Sequence, residues 1–119
     1  MKPKTLSRAL LFACLALGAG SASAFAQSAY STEMAAGREA FDGSNFMLAE
    51  RHFDGAARAA GSDGQKSTAL YSLAVALQRQ GRIEEAKTNV GEAIKLSPKN
   101  SQAQRLLEEL NATAAKPEP

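Results

Sequence analysis

The sequence predicts an all-α protein: two antiparallel helical hairpins followed by a C-terminal capping helix, a short α-solenoid. Three observations predict it. Apolar residues recur at helical spacing through the second half of the chain, with Leu70, Leu73, Ala74 and Leu77 on one stripe and Ile83, Ala86, Val90, Ala93 and Ile94 on the next. The segment from Tyr30 reappears 37 residues later, pairing Ala36 with Leu73, Gly37 with Ala74, Ala40 with Leu77, Phe46 with Ile83, Ala49 with Ala86, Phe53 with Val90 and Ala56 with Ala93. Helix stops fall where the hairpins need them, at Gly81 and at Ser97-Pro98.

The elements follow in chain order. Residues 1–26 read as a secretory signal peptide: Lys2, Lys4 and Arg8 form a basic head, Ala9 to Leu17 an apolar run, and Ala24-Phe25-Ala26 a small-residue cleavage site before Gln27. The apolar run is far short of the roughly 20 residues that cross a bilayer. Cys14, after Leu11-Phe12-Ala13, offers a minority alternative, a lipoprotein site, which is the only membrane attachment the sequence implies. The whole chain of 119 residues has a formal net charge of +2. Residues 27–119 number 93, with 11 basic and 12 acidic side chains, so the mature protein is slightly acidic and free of cysteine. No basic cluster remains in it, and nucleic-acid binding is not expected.

The helical domain is expected over residues 27–113, with a first repeat at about 30–63, a second at 67–100 and the capping helix at 101–113. The residues that stretch the spacing of the repeats fall in Gly61-Ser62-Asp63-Gly64-Gln65-Lys66, read as a loop, with Ser62 and Gln65 at capping-box spacing for the next helix. Ser101 is the expected N-cap of the closing helix with Gln104 as its partner, and Leu106, Leu107 and Leu110 form its apolar stripe. Residues 114–119 are expected to be a disordered tail.

The segment Ser67 to Asn100 resembles a tetratricopeptide repeat, a 34-residue helix-turn-helix unit. Leu70 stands at the position of its tryptophan, Leu73-Ala74 at Leu-Gly, Leu77 at the tyrosine, Ala86 and Ala93 at the two alanines, Val90 at the phenylalanine and Pro98 at the proline. The first copy matches through Ala36-Gly37, Ala49, Phe53 and Ala56, and departs at Glu33, Ala40 and Gly61. Terminal repeats of solenoids are often atypical.

That resemblance implies a concave face built from the first helix of each hairpin. The positions beside the core stripe are Met34, Arg38 and Phe41 in the first repeat and Tyr71, Val75, Gln78 and Arg79 in the second, with Arg105 added by the closing helix. Tyr and Arg commonly anchor interfaces. Met34 and Phe41 have a second reading, as packing residues that compensate for a thin first core. Met34 and Arg38 also occupy positions where some family members clamp a C-terminal carboxylate, so that binding mode is not expected.

No catalytic constellation is apparent. His52 stands alone, while Glu84-Glu85 and Glu108-Glu109 are adjacent pairs that point about 100° apart on a helix. No cofactor and no metal is expected. The expected function is therefore a non-catalytic protein-protein interaction scaffold, exported and most simply periplasmic. The alternatives are a self-associating structural subunit, since two repeats fall below the three or so that make a stable stack, or a lipid-anchored assembly factor.

Overall fold

The computed structural model of the chain describes Phe25 and residues 27–115, and among them there are five helices and no strand. Helix α1 covers residues 27–42, α2 Phe46–Ala59, α3 Asp63–Arg79, α4 Ile83–Leu96 and α5 Ser101–Ala115. The first four form two helical hairpins, and α5 closes the stack by packing on α4 and, over a smaller area, on α3. The expected leader, Phe25 apart, and Cys14 lie outside the described residues, as do residues 116–119 of the expected tail.

Small residues set the spacing of the layers. Ala49, Ala56, Ala74, Ala86 and Ala93 are all fully buried, as the pairing of the two repeats requires, and Phe53 and Val90 occupy equivalent core positions. Gly37 has a more specific role: a Cβ there would stand 2.5 Å from Cε1 of the Phe53 ring. The absence of a side chain at Gly37 is what lets α2 lay its phenylalanine against α1.

Glu33, which stands where the second repeat has buried Leu70, is accommodated by a polar contact. Its carboxylate lies 2.7 Å from Nδ1 of His52 on α2, and Gly55 leaves room for it. The lone histidine is thus a half-buried tie between the helices of the first hairpin.

The two hairpin turns use the same geometry with different residues. At the end of α3 the Gly81 N–H donates to the Gln78 carbonyl and the Arg82 N–H to that of Leu77, with Gly81 at φ 77°. This is a Schellman motif, in which glycine takes the left-handed conformation at little cost. At the end of α1 the Ser44 N–H donates to Phe41 and the Asn45 N–H to Ala40, with Ser44 at φ 61°. The glycine of that turn is one residue early, at Gly43, so a serine bears the strain. Ser44→Gly is expected to stabilise the protein by about 1 kcal/mol, and Gly81→Ala to destabilise it by a similar amount. Urea denaturation checks both, and a lower midpoint for Ser44→Gly contradicts the assignment.

Three boundaries differ from expectation. The segment read as a loop is mostly helix: α3 begins at Asp63, and Ser62 caps it by accepting from the Gln65 N–H. Three inserted residues are close to one helical turn, so the insertion lengthens α3 and keeps its inward face in phase. The Gln65 carboxamide reaches back to the Gly61 N–H, one residue before the cap. The cap of α5 is Asn100 rather than Ser101, because the Asn100 side chain accepts from the Ala103 N–H while also bonding Ser67; Gln104 turns to the Pro98 carbonyl. Finally, α5 runs to Ala115, two residues into the expected tail. Alanine favours helix, and Pro117 opposes it only from the preceding residue onward.

Candidate interaction groove

Helical spacing brings Arg38, Phe41 and Asp42 of α1 to one edge of the groove between α1 and α3, and Tyr71, Ser72 and Val75 of α3 to the other. They enclose an open cleft of about 250 Å³ whose floor is the Phe53 ring from α2. The cleft exists because α1 presents Gly37 and Ala40 to the interior where α3 presents Ala74 and Leu77. Phe53 fills that space only in part.

The mouth is rimmed by charge. Arg38 and Asp42 are exposed and belong to no ion pair among the described residues. Beyond Phe41 the Arg79 guanidinium lies over two rings, 5.4 Å from the centroid of Phe41 and 6.0 Å from that of Phe46. These two rings meet edge to face at 5.1 Å, so Arg79 caps an aromatic pair at one end of the groove. Near the other end, burial pushes the Tyr30 phenol above its ordinary value of 10.0, and the charge of Arg38 opposes that rise.

Four of the eight residues proposed for the groove, Arg38, Phe41, Tyr71 and Val75, therefore meet at one cleft. Arg79 stands beside it. Gln78 is engaged elsewhere, donating to the Glu109 carboxylate of α5 at 3.2 Å. Arg105 is exposed on α5 and does not line the cleft. Met34 is a correction: it is 3% exposed and belongs to the core. An unbranched thioether side chain adapts to irregular gaps, and Gly37 and Ala40 leave such a gap on α1. Asp42, Ser72 and Phe53 were not singled out for the groove. The first two were recoverable from spacing, since Asp42 lies four residues after Arg38 and Ser72 three before Val75.

A second cleft, of about 320 Å³, lies between α2 and α4 over Leu73 and Leu77. Its charges are largely consumed internally. Arg82 bonds Glu50 at 2.8 Å and also Glu85, while the Gln80 carboxamide donates to Glu50 at 2.8 Å. The Arg82 bond holds the Glu85 carboxyl below its ordinary value, and both acids raise Arg82. This network ties the turn of the second hairpin to the first, and that occupation makes the α1–α3 cleft the better candidate for a ligand.

Among the described residues, no group of three or more His, Cys, Asp or Glu side chains is placed to hold a metal ion, and no helix is long and apolar enough to cross a membrane. Comparison of the chain with protein-family models, with curated proteins and with solved structures finds no match.

Proposed function

We propose that this chain is a small exported tetratricopeptide-type protein of the bacterial cell envelope, a non-catalytic scaffold or adaptor that binds a protein or peptide in its concave groove. The observation that carries this reading is the cleft between α1 and α3, where Phe41, Tyr71 and Val75 form an apolar wall beside Arg38, which forms no ion pair among the described residues. Aromatic residues and arginine are the side chains that most often concentrate binding energy. Export is supported by the basic, apolar and small-residue succession of residues 1–26. The family assignment is supported by the buried alanines of both repeats and by Gly37 against Phe53.

The test is capture of partners from an envelope extract by the wild-type protein and by Tyr71→Ala, Arg38→Ala and the exposed α4 variant Thr88→Ala. Capture is expected to fall for the first two and to persist for the third. Unchanged recovery of every partner removes the groove from the account.

One observation favours self-association as the second reading. Met47 and Leu48, at the start of α2, are 71% and 39% exposed, an apolar edge left uncovered by the described residues. Sedimentation separates the two readings, since a monomer at high concentration leaves only the groove.

A further inference from the structure

Cleavage after Ala26 makes Gln27 the first residue of the exported chain. A neighbouring A-x-A triplet, Ala22-Ser23-Ala24, competes for the cut and would leave Phe25 on the product. That side chain is 72% exposed and takes no part in the core. The cut after Ala26 discards it, and its product starts at the first residue of α1.

An N-terminal glutamine carries its own electrophile. The α-nitrogen, part of which is unprotonated at neutral pH, attacks Cδ of the side-chain carboxamide. A bond forms between that nitrogen and Cδ, and the bond from Cδ to Nε2 breaks. The amide nitrogen leaves as ammonia, taking the proton that the α-amine gives up. The product is a lactam, pyroglutamate, formed with no change of oxidation state and no co-reactant.

The start of α1 suits this closure. Gln27, Ser28 and Ala29 are all exposed, so the ring forms without displacing a neighbour. The first N–H groups of a helix have no intrahelical acceptor, so drawing the Gln27 nitrogen into a ring costs α1 no hydrogen bond. Charge favours the product as well. Residues 27–30 contain no acid to offset an α-ammonium group, and the first acid of the helix, Glu33, is already bonded to His52. A positive charge at a helix N-terminus opposes the macrodipole, whereas the lactam is neutral. We propose that Gln27 is a modification site: once exposed by cleavage it closes to pyroglutamate, and the neutral end steadies the first turn of α1. This proposal rests on the export reading above and adds the chemistry of the new terminus.

The experiment expresses the full-length chain in an exporting bacterial cell, purifies it from the envelope fraction and holds it at neutral pH. Mass spectrometry reads the intact protein and its N-terminal peptide. The chain is expected to begin at residue 27 and to lose one ammonia, with its N-terminus blocked to stepwise degradation. Gln27→Asn, whose shorter carboxamide could close only a strained four-membered ring, is expected to begin at the same residue and keep its free amine. In wild-type protein separated by charge into closed and open forms, the Ser31 and Thr32 amides are expected to exchange about two- to fivefold more slowly in the closed form, the scale of one charge at a helix terminus.

A chain that begins at residue 27 and keeps its amine overturns the proposal and leaves export standing, as does a chain that begins at Phe25. Equal exchange in the two forms overturns the role given to the ring. A chain that keeps residues 1–26 removes the export reading, and the proposal with it.

Discussion

Phe53→Ala is expected to cost about 3–5 kcal/mol, the range for deleting a large buried aromatic. The ring is 3% exposed, lies against Gly37 of α1 and floors the α1–α3 cleft. Collapse of α1 into the void is limited, because Met34 and Ala40 already pack on that side of the core. Natural domains are stable by about 5–15 kcal/mol, so one side chain accounts for a large share of the fold. A companion substitution isolates the contact. In the wild type, Gly37→Ala places a methyl 2.5 Å and 2.6 Å from two ring carbons. That overpacking, at about 1–3 kcal/mol, outweighs the gain of about 1 kcal/mol from putting alanine in a helix. In a Phe53→Ala background the ring is gone, only the helix gain remains, and Gly37→Ala becomes neutral or stabilising. Urea denaturation of the four proteins measures this change of sign. A Phe53→Ala loss below about 1 kcal/mol, or the same sign for Gly37→Ala in both backgrounds, contradicts the packing described.

The interior was legible where apolar periodicity and smallness carry the information. Ala49 and Ala86, or Ala56 and Ala93, are recognisable as close-contact positions because they repeat in register, and all four are fully buried. Ala69 and Ala76 were not, although they are buried to the same degree. They lie off the stripe of Leu70, Leu73 and Leu77, and become core because α3 is packed by α2, α4 and α5 together. A pattern sought for one buried face does not reveal a helix with several. The groove shows the same boundary. Arg38, Phe41, Tyr71 and Val75 converge because residues three and four apart stay together on a helix face. Met34 shares that spacing yet turns inward, since the gap it fills depends on how small Gly37 and Ala40 are relative to Phe53. Whether an apolar residue beside a stripe lines a groove or plugs a core is decided by volume across the interface, and a single helix does not encode it.

Asn100 and Ser101 show the same limit at a helix end, and they lead to the second large effect. Both residue types cap helices well. Asn100 takes the position because its amide serves two elements at once: Oδ1 accepts from the Ala103 N–H at 3.1 Å, and Nδ2 donates to Oγ of Ser67 at 2.9 Å. Ser67 is fully buried on α3, and its own O–H donates to the Ala93 carbonyl of α4 at 2.7 Å. One chain of bonds therefore joins α5, α3 and α4. Asn100→Ala removes a cap worth about 0.5–2 kcal/mol and takes a donor from a buried hydroxyl, for a combined loss of about 1–3 kcal/mol. Asn100→Asp divides the two contributions. It keeps the capping oxygen and adds a negative charge at a helix N-terminus, which by itself raises stability, but it cannot donate to Ser67. If capping were the whole role, Asn100→Asp would match or exceed the wild type in urea. It is expected to fall below, to regain parity with Asn100 when Ser67→Ala removes the buried hydroxyl, and to expose the α5 amides of Leu106 and Leu110 to hydrogen exchange before those of α2. Wild-type stability for Asn100→Asp reduces the residue to a cap, and leaves α5 held on the stack by its apolar face and the exposed Gln78–Glu109 bond.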